Sequence, residues 1–243
     1  MRNHESEYRI RDVLLNLAFP RRCPVCDDIV PVGEGMICKS CRTRPQYIGE
    51  PRCRRCGKQL IDDAMPFCRD CRSRKHVFDY GYALYDYQSM RNSIYRFKYG
   101  GRCEYAAFYA ADIVERLEDE LKLMGADSIV PVPIHASRLR SRGYNQAELI
   151  GSELSKRTGI PMYANLVKRV RKTAPQKELD QQERQNNLKK AFHISSDVVK
   201  LNKTILVDDI YTTGSTLDAV ALELKRHGVD TVYFVALCIG EGM

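Results

Sequence analysis

The chain contains no apolar run long enough to cross a bilayer. A membrane-spanning helix needs about 20 consecutive apolar residues, and charged residues interrupt this 243-residue sequence before any run reaches that length. The N-terminus also lacks the apolar core of a secretory signal peptide. Its first twelve residues instead include Arg2, Glu5, Glu7, Arg9, Arg11 and Asp12. These absences predict a cytoplasmic protein without a transmembrane segment.

Acidic residues are fewer than basic ones. The sequence holds 39 Lys and Arg against 31 Asp and Glu, for a formal net charge of +8. The difference is concentrated in residues 138–190, which contain 13 basic and 5 acidic side chains. A basic segment of this kind favours a phosphate-rich ligand or a nucleic acid as a partner.

Cysteine is abundant, and eight of the ten cysteines form four CxxC pairs. The pairs are Cys23 and Cys26, Cys38 and Cys41, Cys53 and Cys56, and Cys68 and Cys71. Eleven residues separate the two pairs of each half, and the second half repeats the first after 30 residues. A CxxC turn brings two sulfurs to one metal ion, and two such turns complete a closed tetrahedral site. The repeat therefore predicts two tandem zinc ribbons, each with one structural Zn²⁺.

Cysteine pairs of this kind have three alternatives to zinc, and the repeat allows two connectivities. Disulfides conflict with the expected cytoplasmic location. An iron–sulfur cluster is not excluded by the sequence, and a redox-active CxxC does not require four matched pairs. Sequential pairing, first pair with second and third with fourth, is the simplest connectivity. A cross-braced arrangement is the alternative.

Residues 204–216 combine a short apolar run, an acidic pair and a turn of small residues. Ile205 to Val207 has the composition of a buried strand, and Asp208 and Asp209 follow it directly. The turn consists of Thr212, Thr213, Gly214, Ser215 and Thr216. Apolar residues at helical spacing come next, so we expect Ser215 or Thr216 to be the N-cap of a helix.

This strand, turn and helix predict a binding site for a sugar phosphate. Free N–H groups and the helix dipole favour an anion at the turn. Two carboxylates beside it suit vicinal hydroxyls or a Mg²⁺ ion bound to phosphate. The alternative is an ordinary turn with two solvated aspartates, but such a turn requires neither the acidic pair nor the run of hydroxyls.

Three arginines follow another apolar strand, predicted at residues 127–133. They are Arg138, Arg140 and Arg142, and we expect them to converge on a loop after that strand. Guanidinium groups bind phosphate oxygens in pairs, so this arrangement suits a pyrophosphate. The alternative is a solvated basic loop, although the Gly-Tyr-Asn-Gln sequence at 143–146 favours a fixed backbone.

The remaining pattern predicts an α/β protein with three parts. Residues 1–20 contain an amphipathic helix at 8–18, residues 21–75 form the double zinc ribbon, and residues 76–243 form the α/β domain. In the last part, strands are predicted at 77–87, 127–133, 163–170, 205–207 and 231–238, and helices at 90–99, 104–124, 147–158 and 217–227.

The acidic pair and turn resemble the phosphoribosyl pyrophosphate (PRPP) motif of type I phosphoribosyltransferases. The order of sequence features also resembles the ComF family, in which a double zinc ribbon precedes a phosphoribosyltransferase-like domain. Those features are Val130-Pro-Val-Pro133, Arg138, Arg142-Gly-Tyr-Asn-Gln146, the residues Gln176, Leu179, Arg184, Asn187, Ala191 and Phe192, and the motif at 207–216. Lys98 with the Gly100-Gly-Arg102 sequence also matches a basic element of that family.

The resemblance implies a parallel-sheet core with helices on both faces and a PRPP site. In that site Asp208 and Asp209 hold the ribose, residues 212–216 bind the 5′-phosphate, and the three arginines bind pyrophosphate with Mg²⁺. It further implies a role in natural competence and DNA uptake, in the cytoplasm and on single-stranded DNA, with a competence helicase or DNA-processing proteins as partners. The sequence identifies no catalytic residue. The alternative to this competence role is an active phosphoribosyltransferase in metabolism, which uses PRPP and an unknown acceptor and has no DNA role.

Overall fold

The structure is a computed structural model that describes residues 20–31, 33–170, 191–195 and 200–240. The N-terminal helix predicted at 8–18 and the polar segment 171–190 lie outside these ranges. No helix in the described part of the chain is both long enough and apolar enough to span a bilayer.

A parallel sheet of four strands forms the centre of the molecule. Its strands are β1 (Tyr80–Asp86), β2 (Ser128–Pro131), β5 (Lys203–Tyr211) and β6 (Thr231–Ile239). They lie in the order β1-β6-β5-β2, and every neighbouring pair is parallel. A separate antiparallel pair consists of β3 (Val167–Arg169) and β4 (Phe192–Ile194). Because parallel strands end at the same edge, the residues that follow β2 and β5 lie near each other.

The described helices connect these strands. They are α1 (Arg69–Ser73), α2 (Tyr87–Tyr99), α3 (Tyr105–Arg116), α4 (Glu118–Met124), α5 (Ala136–Arg142), α6 (Gln146–Thr158) and α7 (Ser215–Arg226). The single helix predicted at 104–124 is wrong, because α3 ends before Leu117 and α4 begins after it. Leu117 leaves the helical conformation, with φ −117° and ψ 26°, while its side chain stays buried.

Helices cover both faces of the sheet, as predicted. Alternate residues of β5 point to opposite faces. Ile205 and Val207 pack in the cluster that contains α2, α3 and α6, whereas Leu206 packs with α7. The predicted architecture, an α/β domain with a parallel sheet and helices on both faces, is confirmed.

The second half of the cysteine repeat packs directly on the sheet beside α7. Cys53, Cys56 and Cys68 lie in the same hydrophobic cluster as the α7 side chains. Gly57 has a φ of +70°, and a Cβ there would lie 2.8 Å from the carbonyl oxygen of Gly81 in β1. Only glycine allows the ribbon and the strand to approach this closely.

The first half of the repeat packs on the opposite side, against α2 and α3. Asp27 pairs with the Arg102 guanidinium at 2.9 Å and accepts a hydrogen bond from the Tyr105 hydroxyl at 2.5 Å. Burial opposes ionisation, but these two hydrogen bonds lower the pKa of Asp27 below its usual value. Arg96 of α2 also donates to the carbonyl oxygen of Val25 at 2.7 Å. The two ribbons therefore contact opposite faces of one sheet.

Both outer strands of the sheet have a further segment beside them. Tyr47, in the connection between the ribbons, forms an antiparallel bridge with Tyr85 of β1. On the other side, Met162 forms a parallel bridge with Ile129 of β2.

Candidate functional site

The predicted acidic pair lies at the carboxyl end of β5. This strand extends from Lys203 to Tyr211, so Asp208 and Asp209 belong to its last four residues and do not follow it. Ligands of open α/β sheets bind outside this edge. The position of the pair is therefore that of a ligand site.

The Asp208 carboxyl group is the most perturbed acid of the site. The side chain is half-buried, and one carboxylate oxygen accepts a hydrogen bond from the Asp209 N–H at 2.9 Å. Burial and then the negative charge of Asp209 raise the pKa of Asp208 to about 7, with Lys98 and Arg169 opposing the rise. Asp208 is therefore partly protonated at neutral pH, and a Mg²⁺ ion or a donor hydroxyl would favour its ionised form.

Asp209 pairs with a lysine from a distant part of the chain. The Lys98 ammonium lies 3.0 Å from an Asp209 carboxylate oxygen, and the two side chains are 17% and 15% exposed. Lys98 stands near the end of α2, more than 100 residues before the acidic pair. The family resemblance included Lys98 as a basic element, but nothing in the local sequence predicted this contact.

The small-residue turn forms a tight loop between β5 and α7. Gly214 has a φ of +74°, and a Cβ there would meet the Tyr211 hydroxyl at 2.9 Å and Cε1 of His76 at 3.0 Å. The Thr213 and Ser215 hydroxyls are 2.9 Å apart. Asp208 and residues 210–217 line a small pocket at this point.

The predicted N-cap is wrong. Helix α7 begins at Ser215, and Gly214 is its N-cap, without a side-chain hydrogen bond to the first turn. The left-handed conformation of Gly214 turns the chain directly into the helix, so Ser215 and Thr216 are helical residues. The first N–H groups of α7 have no intrahelical acceptor and are available to an anion.

The loop is supported by the segment that follows the second ribbon. The Arg74 guanidinium donates to the Thr213 carbonyl oxygen at 3.3 Å. The Asp218 carboxylate lies 2.9 Å from Nδ1 of His76 and accepts from the Val77 N–H at 2.7 Å. Sequence analysis missed these contacts, because an aspartate in the first turn of a helix is explained equally well by the helix dipole.

The three predicted arginines lie on a helix, and the prediction of a loop is wrong. Helix α5 begins after His135, whose Nδ1 accepts from the Ser137 N–H at 3.2 Å, and ends at Gly143 with a φ of +85°. An imidazole at the N-cap is rarer than a serine, threonine or aspartate, so the sequence gives little sign of this cap. The glycine was read as part of a fixed loop, whereas it ends a helix.

The three arginine side chains do not share one environment. Arg138 and Arg140 are exposed. Arg142 is half-buried, lies over the Tyr99 ring at 4.8 Å and donates to Oε1 of Gln146 at 3.1 Å. Their role in pyrophosphate binding stays a prediction, and Arg142 has protein partners that would compete with a ligand.

A fourth arginine, Arg169 of β3, lies close to the acidic pair. Its guanidinium is over the Phe192 ring at 5.4 Å. Burial and then the positive charge of Arg138 lower the pKa of Arg169, while the Asp208 carboxylate raises it. Arg169 therefore interacts electrostatically with both Arg138 and Asp208. Residues 167 and 170 are apolar, and Arg169 faces the same side of the short strand as residue 167. An arginine on the apolar side of a predicted strand is the sequence signal that would have found it.

The eight cysteines of the repeat form two separate tetrads. All sulfur atoms of Cys23, Cys26, Cys38 and Cys41 lie within 4.8 Å of one another, and so do those of Cys53, Cys56, Cys68 and Cys71. Sequential pairing is thus confirmed, and the cross-braced arrangement and the disulfide alternative are wrong, since all ten cysteines are free thiols.

The tetrads fit zinc. A Zn–S distance of about 2.3 Å places tetrahedral sulfurs about 3.8 Å apart, and the Cys26–Cys38 and Cys56–Cys68 sulfurs are each 3.7 Å apart. Four cysteines leave no open coordination position, so each tetrad is suited to a structural ion.

Two family models match the chain. The double zinc ribbon domain matches residues 14–72, and the phosphoribosyl transferase domain matches residues 145–242. The first range contains both tetrads, and the second contains β5, the loop and α7.

The chain is also similar to curated bacterial proteins over most of its length. Competence protein F of Haemophilus influenzae is 32% identical over 222 residues, which are 88% of this chain and 95% of that protein. DNA utilization protein YhgH of Salmonella typhimurium is 30% identical over 227 residues, or 91% and 98%. Competence protein ComFC of Streptococcus pneumoniae is 29% identical over 212 residues, or 82% and 86%. The similarity extends through both the ribbons and the α/β domain, and the chain therefore belongs to the ComF family.

Proposed function

We propose that this ComF-family chain serves natural competence and DNA uptake, in the cytoplasm and on or near incoming single-stranded DNA, and that it binds PRPP. One observation carries the PRPP part: the acidic pair at 208–209 and the loop at 212–216 meet at the carboxyl edge of a parallel sheet. The competence part rests on relatives that are named for competence and DNA utilization.

In this proposal the loop and the acidic pair bind opposite parts of the ligand. The α7 N–H groups and the hydroxyls of residues 212–216 bind the 5′-phosphate, and Asp208 and Asp209 bind the ribose hydroxyls. The pyrophosphate, with its Mg²⁺, lies towards the cationic side. On that side, Arg138 and Arg169 suit the pyrophosphate better than Arg142 does. The charge of Arg169 acts on Asp208, and the charges of Arg138 and Arg169 act on each other.

Calorimetry with PRPP and Mg²⁺ tests the ligand. The wild type should bind, and the double variant Asp208→Asn, Asp209→Asn should not, because its neutral amides replace both carboxylates. The matched control is Asp62→Asn, Asp63→Asn, which alters two neighbouring aspartates that are exposed and do not line the pocket at 208 and 210–217. Equal PRPP binding by wild type and the site variant would overturn this part of the proposal.

An active phosphoribosyltransferase is the second candidate function. It is favoured by the cations beside the acidic pair, because charge that develops on the leaving pyrophosphate is stabilised by fixed positive groups. Lys98 and Arg169 are such groups. The test is release of pyrophosphate from PRPP and Mg²⁺ in the presence of candidate acceptors, with the double Asn variant as the inactive control. PRPP binding without turnover would favour a binding protein.

Single-stranded DNA binding is tested by its salt dependence. Affinity should fall steeply with salt, because Lys and Arg release counterions from the phosphates. Arg169 is unsuited to a charge-reversal test, since it is half-buried and acts on Asp208. Lys168 is exposed and is therefore the better residue for charge reversal. Absent or salt-independent binding would contradict the DNA part. A competence helicase or DNA-processing protein as a partner stays a prediction.

A further inference from the structure

A second cationic cavity lies beside the second zinc ribbon, outside the loop at 212–216. It has a volume of about 290 Å³ and is separate from the pocket formed by residues 208 and 210–217. Its lining consists of Arg55, Phe67, Cys71, Arg74, Lys75 and His76. No carboxylate is part of this lining.

The three permanent cations of this cavity are not neutralised by carboxylates. Within the described residues, neither Arg55, Arg74 nor Lys75 has a carboxylate oxygen within 4.0 Å. The two guanidiniums each donate to a main-chain carbonyl oxygen, that of Phe78 at 3.1 Å and that of Thr213 at 3.3 Å. A carbonyl carries no net charge, and each guanidinium has five N–H donors, so both retain charge and donors for an anion.

The first ribbon provides an internal control for this charge. A zinc ion with four thiolates carries a net charge of −2, which nearby cations offset in either ribbon. Residues 21–44 contain 5 basic and 3 acidic side chains, whereas the equivalent residues 51–74 contain 7 and 3. The same metal site is therefore built in the first ribbon with two fewer basic residues, and the zinc alone does not account for the surplus in the second.

The cavity positions also differ between the two repeats. Thirty residues before Arg55 and Phe67 stand Val25 and Ile37, which pack against the helices of the domain. The same face that is apolar and covered in the first ribbon is cationic, aromatic and partly exposed in the second. Phe67 is half-buried, so one part of its ring is available to a flat group.

His76 forms part of the wall of the same cavity and carries a buried nitrogen. Its side chain has no exposed surface, and Nδ1 is paired with Asp218. Its Nε2 is buried and has no hydrogen-bond partner among the described atoms. A buried polar nitrogen without a partner is uncommon in folded proteins and points to a group that completes it.

We propose that this cavity is a nucleotide-phosphate site, where a phosphodiester of single-stranded DNA lies between Arg55 and Lys75 and its base stacks on Phe67. Guanidinium and ammonium groups beside an aromatic ring are the combination that single-strand binding proteins use. The inference rests on the DNA part of the proposed function and assigns that binding to a definite surface. PRPP binding does not depend on it.

Fluorescence anisotropy with an oligo-dT of about 12 nucleotides, a length within the range of single-strand sites, tests the site. The variant is Arg55→Gln, Lys75→Gln, and the matched control is Arg42→Gln, Arg44→Gln, which removes two exposed cations from the first ribbon. Arg74 is left intact because it holds the loop. We expect the cavity variant to lose about tenfold in affinity and to lower the slope of log K against log salt by about 1.4, with the control close to wild type.

Folding is checked independently of DNA. The cavity variant and its matched control should each retain two zinc ions per chain and bind PRPP as the wild type does. Because Arg55 has a structural hydrogen bond, Lys75→Gln alone serves as a second variant, since Lys75 is exposed. Oligo-dT should also be displaced by sodium phosphate more effectively than by sodium chloride at the same ionic strength.

The outcomes separate this inference from the proposed function. If the double variant Arg55→Gln, Lys75→Gln and the single variant Lys75→Gln both bind oligo-dT as tightly as the wild type, the cavity is not the site, while DNA binding itself stands. If the wild type binds no oligo-dT, the DNA part of the function and this inference both fail. If sodium phosphate binds with the expected dependence on Arg55 and Lys75 but oligo-dT does not, the cavity takes free phosphate and the nucleotide assignment is wrong.

Discussion

Asp208 combines an unfavourable position for a carboxylate with the most direct role in the proposed PRPP site. Its pKa of about 7 lies above the usual value of 3.8. Between these two pH values the folded chain binds more protons than the unfolded chain, so the stability associated with protonated Asp208 is lost as pH rises towards 7. The ionised Asp208 carboxylate therefore destabilises the folded state at alkaline pH.

We predict that Asp208→Asn raises the free energy of unfolding at pH 8. Three pKa units correspond to about 4 kcal/mol, and on the order of 2 kcal/mol is expected because the side chain is not fully enclosed. The gain should disappear at pH 4, where the wild-type group is protonated. Urea unfolding at both pH values measures this. An Asn variant that is less stable than wild type at pH 8 would contradict the interpretation.

PRPP affinity should depend on pH through the same group. Ribose hydroxyls and Mg²⁺ favour the ionised carboxylate, so binding at pH 7 should release protons. Affinity should rise between pH 6 and pH 8 and level off above the pKa of Asp208. Calorimetry in two buffers with different ionisation enthalpies measures the protons released. Proton uptake on binding would show that the sign is wrong.

Gly214 is constrained both by its backbone and by its neighbours. We predict that Gly214→Ala lowers PRPP affinity at least tenfold, because the new Cβ would meet Tyr211 and His76 at 2.9 and 3.0 Å and displace the loop. Gly159→Ala is the matched control. Gly159 has a similar φ, +76°, but no atom within 4 Å of the new Cβ, so it should cost about 1 kcal/mol of stability without affecting PRPP. Calorimetry and thermal unfolding distinguish the two.

At the scale of elements, the two ribbons support different sides of the candidate site. The first ribbon holds α2, which carries Lys98, through Arg96 and Arg102. The second ribbon leads into the segment that holds the 212–216 loop through Arg74 and His76. Each cysteine tetrad is thus linked to one part of the proposed PRPP site.

Loss of each zinc should therefore loosen a different element. We predict that Cys68→Ser, Cys71→Ser increases hydrogen exchange of residues 212–218, whereas Cys38→Ser, Cys41→Ser increases exchange of residues 93–105. PRPP affinity should fall more in the second-ribbon variant, since that loop is the proposed site of the 5′-phosphate. Mass spectrometry of exchanged peptides gives both readouts. Identical exchange patterns in the two variants would contradict the division.

Elements that rest on local patterns were predicted well. Cysteine spacing determines both tetrads, and a β-rich apolar run followed by small residues determines β5, the loop and α7. The break at Leu117 and the start of α5 after His135 were missed, because neither one non-helical residue nor an imidazole cap changes the pattern of apolar residues much. The Lys98–Asp209 and His76–Asp218 contacts join residues far apart in the chain, and no periodicity reports them.

At the scale of the whole molecule, the sequence repeat predicted two equal units, but they occupy unequal places. A 30-residue shift relates the ribbons, yet Val25 faces α2 and α3 while its counterpart Arg55 lines an open cavity. The repeat alone carries no information about which face of the sheet each unit covers. That choice is made by the domain that follows, through contacts such as Gly57 against Gly81.

The segments beside the two outer strands restrict how this protein meets others. Unpaired main-chain groups along a strand edge are what a foreign peptide or a second copy uses to add a strand. In the described part of the chain, the bridge from Tyr47 to Tyr85 lies along one outer strand, and the bridge from Met162 to Ile129 lies along the other. Addition of a strand to the four-stranded sheet is thus obstructed at both of its edges. This protects the sheet from templated aggregation. A partner that approaches the four-stranded sheet must instead recognise side chains on the loops, ribbons and helices around it.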